Sequence, residues 1–438
     1  MLKTLMDAFK IENIRKRLGF TFLMLIVVRL GSLLPVPGLN GKLISEQLFS
    51  GGEAWDFLSS ITGGSFESMS VFTLSITPYI TASIIIQLLT IAIPKLEEIS
   101  KDGADGRKLL NQITRYTTVG LALAESSIMA INFYRGNYLF PGMDNALGVI
   151  LIIITLTAGS AVLMWIGEQI TEHGIGNGIS VVLVFNILSR LPVDLASLYK
   201  QFMAGKTLPK AILAGVIIVA VIVALVILVV ILQGAERKIP VQYSKKMGNG
   251  KTMGAATSHI PLKVNTAGVM PVIFAQSLLQ TPIVICTMLG KNGGPGFWGK
   301  VYKMLSQGNW FNLQDPLSSI GVVVYIALLI VFAYFYTSIT FNPTEVAENM
   351  KKQGGAIPGV RAGKETADYL NNVLKYIIFI GAVGLTIVAL LPIAFNGFFG
   401  ASVSFGGTSL IIIVGVIIET LKQIESLMVV RNYKGFLN

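Results

Sequence analysis

The chain has 438 residues, of which 53% are hydrophobic and only 13% are charged, and its mean hydropathy is +0.69. An ordinary soluble domain fills its core with a much smaller apolar fraction, so the composition indicates a protein whose main solvent is the lipid bilayer. The single cysteine, Cys286, excludes a disulfide framework and a cysteine-based metal site. The net charge of +11 is compatible with nucleic acid or anionic lipid as a partner, so the placement of the cations matters more than their number.

About ten apolar stretches are long enough to cross the roughly 30 Å of hydrocarbon in a bilayer. The predicted spans are 18–36, 72–93, 116–134, 147–166, 177–190, 211–232, 266–289, 318–340, 373–394 and 407–430. The fifth span is short and the second is polar, so these two depend on their context. No small-residue cleavage site follows the first span, which we therefore interpret as a retained span rather than a removed leader.

Lysine and arginine fall mainly on one side of these spans. Residues 1–17 and the segment between the second and third spans are rich in cations, whereas the alternate loops carry few, among them Arg190 at the end of the fifth span. An even number of spans places both termini on the same side of the membrane. The positive-inside rule then predicts that both termini are cytoplasmic.

Two of the predicted cytoplasmic loops are too long to be simple connections. Residues 233–265 are basic, and residues 341–372 show a helical start at Asn342 and a turn at Gly354 and Gly355. Such loops either bind a partner or form solvated hairpins that follow the charge rule.

A short motif occurs twice with the same spacing, once in a span that enters from outside and once in a span that enters from the cytoplasm. Its residues are Pro78, Ile80, Ala82 and Gln87 in the first copy and Pro271, Ile273, Ala275 and Gln280 in the second. The pattern indicates an inverted repeat, which would place function at the interface of two halves. A chance match is the alternative.

Known enzyme motifs do not fit this chain. Residues 248–252 end in Lys-Thr like a phosphate-binding loop, but Lys245 stands where that motif requires its first glycine. Residues 174–178 are glycine-rich yet lack the strand and acidic follower of a dinucleotide site. His173 and His259 have no partner at metal-ligand spacing. We therefore predict no catalytic residue, no cofactor and no metal.

A secondary transporter with inverted repeats is the alternative function. Such transporters generally hold ionisable groups near the middle of the membrane, where they bind protons or cations. Here few acids or bases lie at or in the predicted spans, chiefly Arg29, Glu125, Glu168 and Glu419. This scarcity argues against a transporter.

A polar segment and two aliphatic helix faces suggest a pore. Residues 51–70 are rich in glycine and serine and run directly into the second span, so they either fold back into a cavity or form a plain external loop. Ile76 and Ile80 share one helix face, as do Ile179 and Leu183. These faces form either a dewetting constriction or ordinary helix packing.

The chain resembles the SecY family, the large subunit of the bacterial protein-conducting channel, along its whole length and in order. The segments that carry the resemblance are 70–89, 174–180, 260–274, 359–361 with 366–367, and 405–410. The resemblance implies an all-α polytopic membrane protein of ten helices in two inverted five-helix halves, 1–195 and 196–438, that form a clamshell around a central pore. It also implies a channel that passes unfolded secretory proteins across the bacterial cytoplasmic membrane and releases hydrophobic segments into lipid, with no enzymatic activity of its own.

The same resemblance implies the functional residues. The aliphatic pore ring maps to Ile76, Ile80, Ile179, Leu183, Ile273 and Ile412. The plug falls at residues 57–69 and includes Ile61, Thr62, Gly63, Gly64 and Phe66. The lateral gate maps to Thr81, Gln87, Ser277 and Thr281, and the partner-binding cations are Arg361, Arg237, Lys238, Lys245, Lys246 and Lys251. Leu183 and Thr281 depart from the isoleucine and the aromatic residue found in relatives.

The implied partners are SecE-like and SecG-like membrane subunits, the SecA motor ATPase, the ribosome, signal sequences and membrane lipid. Exposed cations in the first long loop suit the phosphates of ribosomal RNA.

Overall fold

The structure, a computed structural model, describes residues 9–41, 43–44, 59, 62–204, 207–243, 256–288, 296–307, 310, 319–399 and 407–434. The elements in chain order are α1 (Glu12–Leu33), α2 (Thr77–Ala92), α3 (Pro94–Lys101), α4 (Gly103–Arg135), α5 (Ala146–His173), α6 (Gly178–Phe202), α7 (Leu208–Gly234), β1 (Glu236–Tyr243), β2 (Ala256–Lys263), α8 (Met270–Met288), α9 (Phe297–Leu305), α10 (Ile320–Thr340), α11 (Pro343–Lys352), β3 (Gly355–Ala356), α12 (Lys364–Phe399) and α13 (Gly407–Lys434). Each predicted span overlaps a helix.

Within the described part of the chain, five helical segments are long and apolar enough to cross a membrane by length and composition alone. They are α5, α6, α7, the continuous pair α10 and α11, and α12. The bent pair of α2 and α3 makes a sixth if it counts as one span. Helices α1, α4, α8 and α13 occupy the remaining predicted spans without reaching that limit. The protein is therefore a polytopic helical membrane protein.

The second predicted span, 72–93, is wrong at its start, because residues 62–76 form successive turns and α2 begins only at Thr77. Pro78 lies in the first turn of α2, where its missing N–H is tolerated. Met69 and Ser75 have φ values of 46° and 52°, which an α-helix does not accommodate. At the other end the chain bends by 102° into α3 at Pro94.

The fifth predicted span, 177–190, is too short, because α6 continues through Pro192 to Phe202. The placement of Arg190 in an outer loop is consequently wrong. Its side chain is on α6 and only 10% exposed. The predicted span ends at 190 because charged residues interrupt the apolar run there. These charged residues are paired inside the protein, so the helix continues past them. The predicted boundary at 195/196 lies within this helix, and the division into two halves stays a prediction.

The two long loops fold into one small sheet. Strands β1 and β2 pair antiparallel in the first loop, with Glu236 opposite Lys263. Strand β3 in the second loop pairs with β1, so the order is β2-β1-β3. The helical start at Asn342 is confirmed, since its side chain accepts hydrogen bonds from the backbone N–H groups of residues 344 and 345 at 3.2 and 3.4 Å. The end of the second predicted loop is wrong, because α12 already begins at Lys364.

Buried apolar side chains form several clusters. One joins α7, α8, α10, α12 and α13, and a second joins α4 and α5 to the turns at residues 36–44 and 66–74. A third lies between α6 and α13. Helix α7 instead exposes Ile212, Leu213, Val216 and Val219, as expected of a lipid-facing surface.

Candidate pore, plug segment and partner surfaces

The six predicted ring residues lie in two neighbouring apolar clusters. One cluster contains Ile76, Ile80 and Ile179. The other contains Leu183, Ile273 and Ile412. Ile179 and Leu183 are one turn apart on α6, so this helix connects the clusters. Ile76, Leu183 and Ile412 are 1%, 4% and 5% exposed. These two clusters, which α6 connects, are together called the aliphatic seam below. A closed ring among them stays a prediction.

Both copies of the repeated motif mark the start of a helix next to this seam. Pro78 is in the first turn of α2, and Pro271 directly follows the first residue of α8. Each helix is preceded by turns rather than by a longer helix. Ala82 and Ala275 are both 0% exposed, so these small side chains let neighbouring elements approach closely. The matching residues therefore have matching structural roles.

The predicted plug residues that the structure describes lie in the turns before α2. Thr62 accepts a hydrogen bond from the backbone N–H of Phe66 at 3.2 Å and donates one to the Ser59 carbonyl at 3.3 Å. Gly63 and Gly64 have φ values of 67° and 84°, which favour glycine. Phe66 is 5% exposed and packs with α4 and α5. Ile61 lies outside the described residues. A plain external loop does not fit residues this well buried.

A polar network that sequence reasoning missed holds these turns against α6. Arg190 Nη1 donates to Ser59 Oγ and to Glu67 Oε2, and Arg190 Nε lies 3.7 Å from Asp194 Oδ1. Arg29 donates to the Gly63 carbonyl at 3.3 Å. The available sequence signal was an arginine four residues before an aspartate at the end of an apolar run, which is the spacing of an ion pair on a helix.

The predicted gate residues lie on α2 and α8, but their hydrogen bonds stay within each helix. Thr81 donates to the Thr77 carbonyl at 3.1 Å, and Thr281 donates to the Ser277 carbonyl at 2.8 Å. Gln87 Nε2 donates to Ser83 Oγ at 3.3 Å, while Gln87 Oε1 and the corresponding Gln280 Oε1 are buried without a hydrogen-bond partner among the described residues. A gate contact between the two helices stays a prediction.

Those predicted partner-binding cations that the structure describes are on the surface of the small sheet and its connections. Arg361 is 89% exposed and lies 3.9 Å from Glu365, while its carbonyl accepts a hydrogen bond from Thr366 at 2.8 Å. Arg237 is exposed on β1, and Lys238 pairs with Glu236 at 3.4 Å. Lys245, Lys246 and Lys251 lie outside the described residues. The loops thus present charge on an ordered support.

The glycine-rich loop at 174–178 is a structural connection. Gly176 has a φ of 88°, and its N–H donates to Gln423 Oε1 on α13 at 2.6 Å. The Ile175 N–H donates to Thr21 Oγ1 on α1 at 3.1 Å. These amides are occupied by protein side chains, so the loop does not form a phosphate cradle. Among the described residues no group of three or more His, Cys, Asp or Glu could hold a metal ion.

Comparisons with known proteins agree along the whole chain. The SecY family profile matches residues 70–421. The protein translocase subunit SecY of Bacillus subtilis (strain 168) is 42% identical over 446 residues, which cover 100% of both chains. A solved protein-conducting channel has a TM-score of 0.65 at 20% identity, covering 94% of this chain and 92% of that one.

Two further solved structures share the fold. One is from work on the plug domain of the SecY protein, which stabilises the closed state of that translocation channel. Its TM-score is 0.64 at 19% identity, covering 94% of this chain and 92% of that one. The other is Sec61 in the canine ribosome-channel complex from the endoplasmic reticulum, with a TM-score of 0.60 at 20% identity and the same coverage.

The apolar helices and the matching relatives define a polytopic membrane channel of the protein-conducting class. The transporter alternative is not favoured, since the relatives and the structural neighbours are protein-conducting channels. The chain belongs to the SecY family. It is the channel-forming subunit of a protein translocase.

Proposed function

We propose that unfolded secretory proteins pass between two inverted five-helix halves, through a waist sealed at rest by the six residues of the aliphatic seam. Residues 57–69 act as the plug on the outer side of this waist. The observation that carries the proposal is that α6 supports both parts, since it contributes Leu183 to the seam and holds the turns at 62–76 through Asn186 and Arg190.

An aliphatic seal suits a substrate whose side chains vary at every step. Branched apolar groups at a narrow waist give water no hydrogen-bonding partner and favour dewetting. They offer a passing chain only dispersion contacts, on the order of 0.1 kcal/mol per atom pair. A seal made of charges or hydrogen bonds would bind some residues tightly and stop transport.

We place the lateral gate between α2 and α8, near Thr81, Gln87, Ser277 and Thr281. Both helices begin at the seam with a proline in the first turn, so a separation at their starts would connect the waist to lipid. Among the described residues the amide oxygens of Gln87 and Gln280 have no hydrogen-bond partner, which leaves this region with unused hydrogen-bonding capacity. A signal sequence or a membrane-bound segment would leave by this route.

The cytoplasmic sheet is the proposed surface for partners. Arg361, Arg237 and Lys238, together with Lys245, Lys246 and Lys251, would contact ribosomal RNA or the SecA motor, because phosphates and acidic surfaces bind exposed cations. One structural neighbour is a Sec61 channel in a complex with a ribosome, which supports the first assignment. SecE-like and SecG-like subunits would cover lipid-facing helices. The motor or the ribosome supplies the energy, and this chain catalyses no reaction.

We place the protein in the bacterial cytoplasmic membrane with both termini in the cytoplasm. The cation asymmetry supports this orientation, since the basic sheet formed by the two long loops then lies on the same side as residues 9–17. Ribosomes and an ATP-driven motor are available only on that side.

One experiment tests the proposed function as a whole. The full chain is purified with the membrane subunits that accompany it, reconstituted in vesicles, and supplied with ATP, SecA and a preprotein. Protease-protected preprotein should accumulate inside the vesicles only when motor and ATP are both present. Uptake of small solutes without preprotein transport would contradict the proposal and favour a transporter.

A further inference from the structure

One face of α6 carries a run of polar side chains outward from the aliphatic seam. Leu183 belongs to the seam, and Asn186, Arg190 and Asp194 follow at helical spacings of three or four residues. Residues at these spacings lie on the same side of a helix. Asn186 is 5% exposed and Asp194 is 4% exposed. This face is therefore a buried polar strip that continues directly from the proposed seal.

Two residues of the strip, Asn186 and Arg190, contact the turns before α2. Asn186 Nδ2 donates to Ser75 Oγ at 3.4 Å, and Ser75 has the left-handed φ of 52°. Gly63 packs so closely on the backbone of Asn186 that a Cβ at Gly63 would lie 2.9 Å from its carbonyl oxygen. Arg190 contacts Ser59 and Glu67 at the outer end. The turns are thus fixed to α6 at both ends.

Arg190 is the group on which this attachment depends most. A buried guanidinium is tolerated only when it is paired and hydrogen-bonded. Its two interacting carboxylates differ in position, since Asp194 is on α6 itself and is 6% exposed at the side chain, whereas Glu67 is on the turns and is 45% exposed. Arg190 Nε makes no hydrogen bond among the described residues, so Asp194, 3.7 Å away on the same helix, is a nearby counter-ion. Glu67 is the partner that can separate when the turns move.

We propose that Arg190 is a latch that holds the plug closed, with Glu67 and Ser59 as its releasable partners and Asp194 as the counter-ion that stays beside it. The proposal rests on the proposed function, in which residues 57–69 are the plug. Opening separates the Arg190 contacts to Glu67 and Ser59, and Asp194 remains as the counter-ion of the arginine. The charge on α6 is then never left unpaired during transport.

The test measures resting ion conductance of the reconstituted full complex in planar bilayers. The variants are Glu67→Gln, Arg190→Gln and the double variant, and a deletion of residues 57–69 gives the unplugged reference. Glu97→Gln is the matched control, because it makes the same carboxylate-to-amide change in the exposed Lys101 ion pair of α3. Glu67→Gln is informative even if Arg190→Gln folds poorly, because Glu67 is half-exposed and outside the helices.

We expect each single variant to raise the fraction of time for which the channel is open about tenfold. A tenfold ratio corresponds to 1.4 kcal/mol, which is about the contribution of a weak hydrogen bond between charged groups. The double variant should leak no more than Arg190→Gln alone, because Arg190→Gln already removes the contact to Glu67 together with the contact to Ser59. A thiol reagent that cannot cross the membrane should label Phe66→Cys, in a Cys286→Ser background, faster when Glu67→Gln is present. Motor-driven translocation should remain.

Two different failures are distinguishable. If the deletion leaks but Glu67→Gln and Arg190→Gln conduct and label like the unchanged protein, the latch is overturned and the plug stands. If the deletion itself is as tight as the unchanged protein, both the plug assignment and the latch are overturned. Leak in Glu97→Gln equal to that in Glu67→Gln would also overturn the latch, since the effect would then not be specific to this contact.

Discussion

Ile411 and Ile412 are adjacent on α13 but face different surroundings, and asparagine at each position separates sealing from packing. Ile411 is 0% exposed and lies in the cluster formed by α7, α8, α10, α12 and α13. Ile412 is 5% exposed and lies in the aliphatic seam between α6 and α13. The same chemical change is therefore made in a packed interior and at the proposed waist.

The expected magnitudes differ. Removing a buried isoleucine side chain costs about 2–5 kcal/mol, and an unpaired buried amide adds about 1–3 kcal/mol. Ile411→Asn has both penalties. At Ile412 the proposed conduit supplies water to the amide, so the second penalty is largely absent and the waist becomes wettable. We expect Ile411→Asn to lower the unfolding temperature far more, and Ile412→Asn to raise resting conductance.

The assays are thermal unfolding in detergent and planar-bilayer conductance of the assembled complex. Ile80→Asn combined with Ile412→Asn should leak more than Ile412→Asn alone, and more again when residues 57–69 are deleted. An Ile412→Asn variant that is as ion-tight as the unchanged protein and as unstable as Ile411→Asn would refute the reasoning. The seam would then serve only to pack helices.

Three further predictions concern the partner surface, the gate and a helix cap. Arg361→Glu should abolish motor-driven translocation while the unfolding temperature stays nearly unchanged, because an exposed ion pair such as that of Arg361 contributes about 0–1 kcal/mol; normal transport would contradict it. Thr81→Cys with Thr281→Cys, in a Cys286→Ser background, should block transport when joined by a cleavable bifunctional thiol reagent and restore it after cleavage, whereas passage through a verified crosslink would exclude this gate. Asn342→Ala should weaken α11 by about 1 kcal/mol, seen as faster hydrogen exchange at residues 346–352, and unchanged exchange would show that the cap is dispensable.

The helices and several local features followed from the sequence. Hydropathy located a helix at each predicted span because burial in lipid requires long apolar runs whose backbone bonds are internal. The cap at Asn342 was also readable, since it depends on neighbours only a few residues away. The family resemblance rested on ordered segments along the whole chain.

Tertiary structure decided what depends on distant partners. The turns at 62–76 look like part of an apolar span, and α6 looks as if it ends at Arg190. Yet Arg190 finds partners 123 and 131 residues away in the chain, and β1 pairs with β3 from a different loop. Hydropathy describes the average solvent of a segment and carries no information on which buried polar group will meet which. The sequence by itself therefore determined the helices and the family, and the folded chain alone decided how α6 holds the turns, because a buried charge is stable only beside a partner that long-range packing supplies.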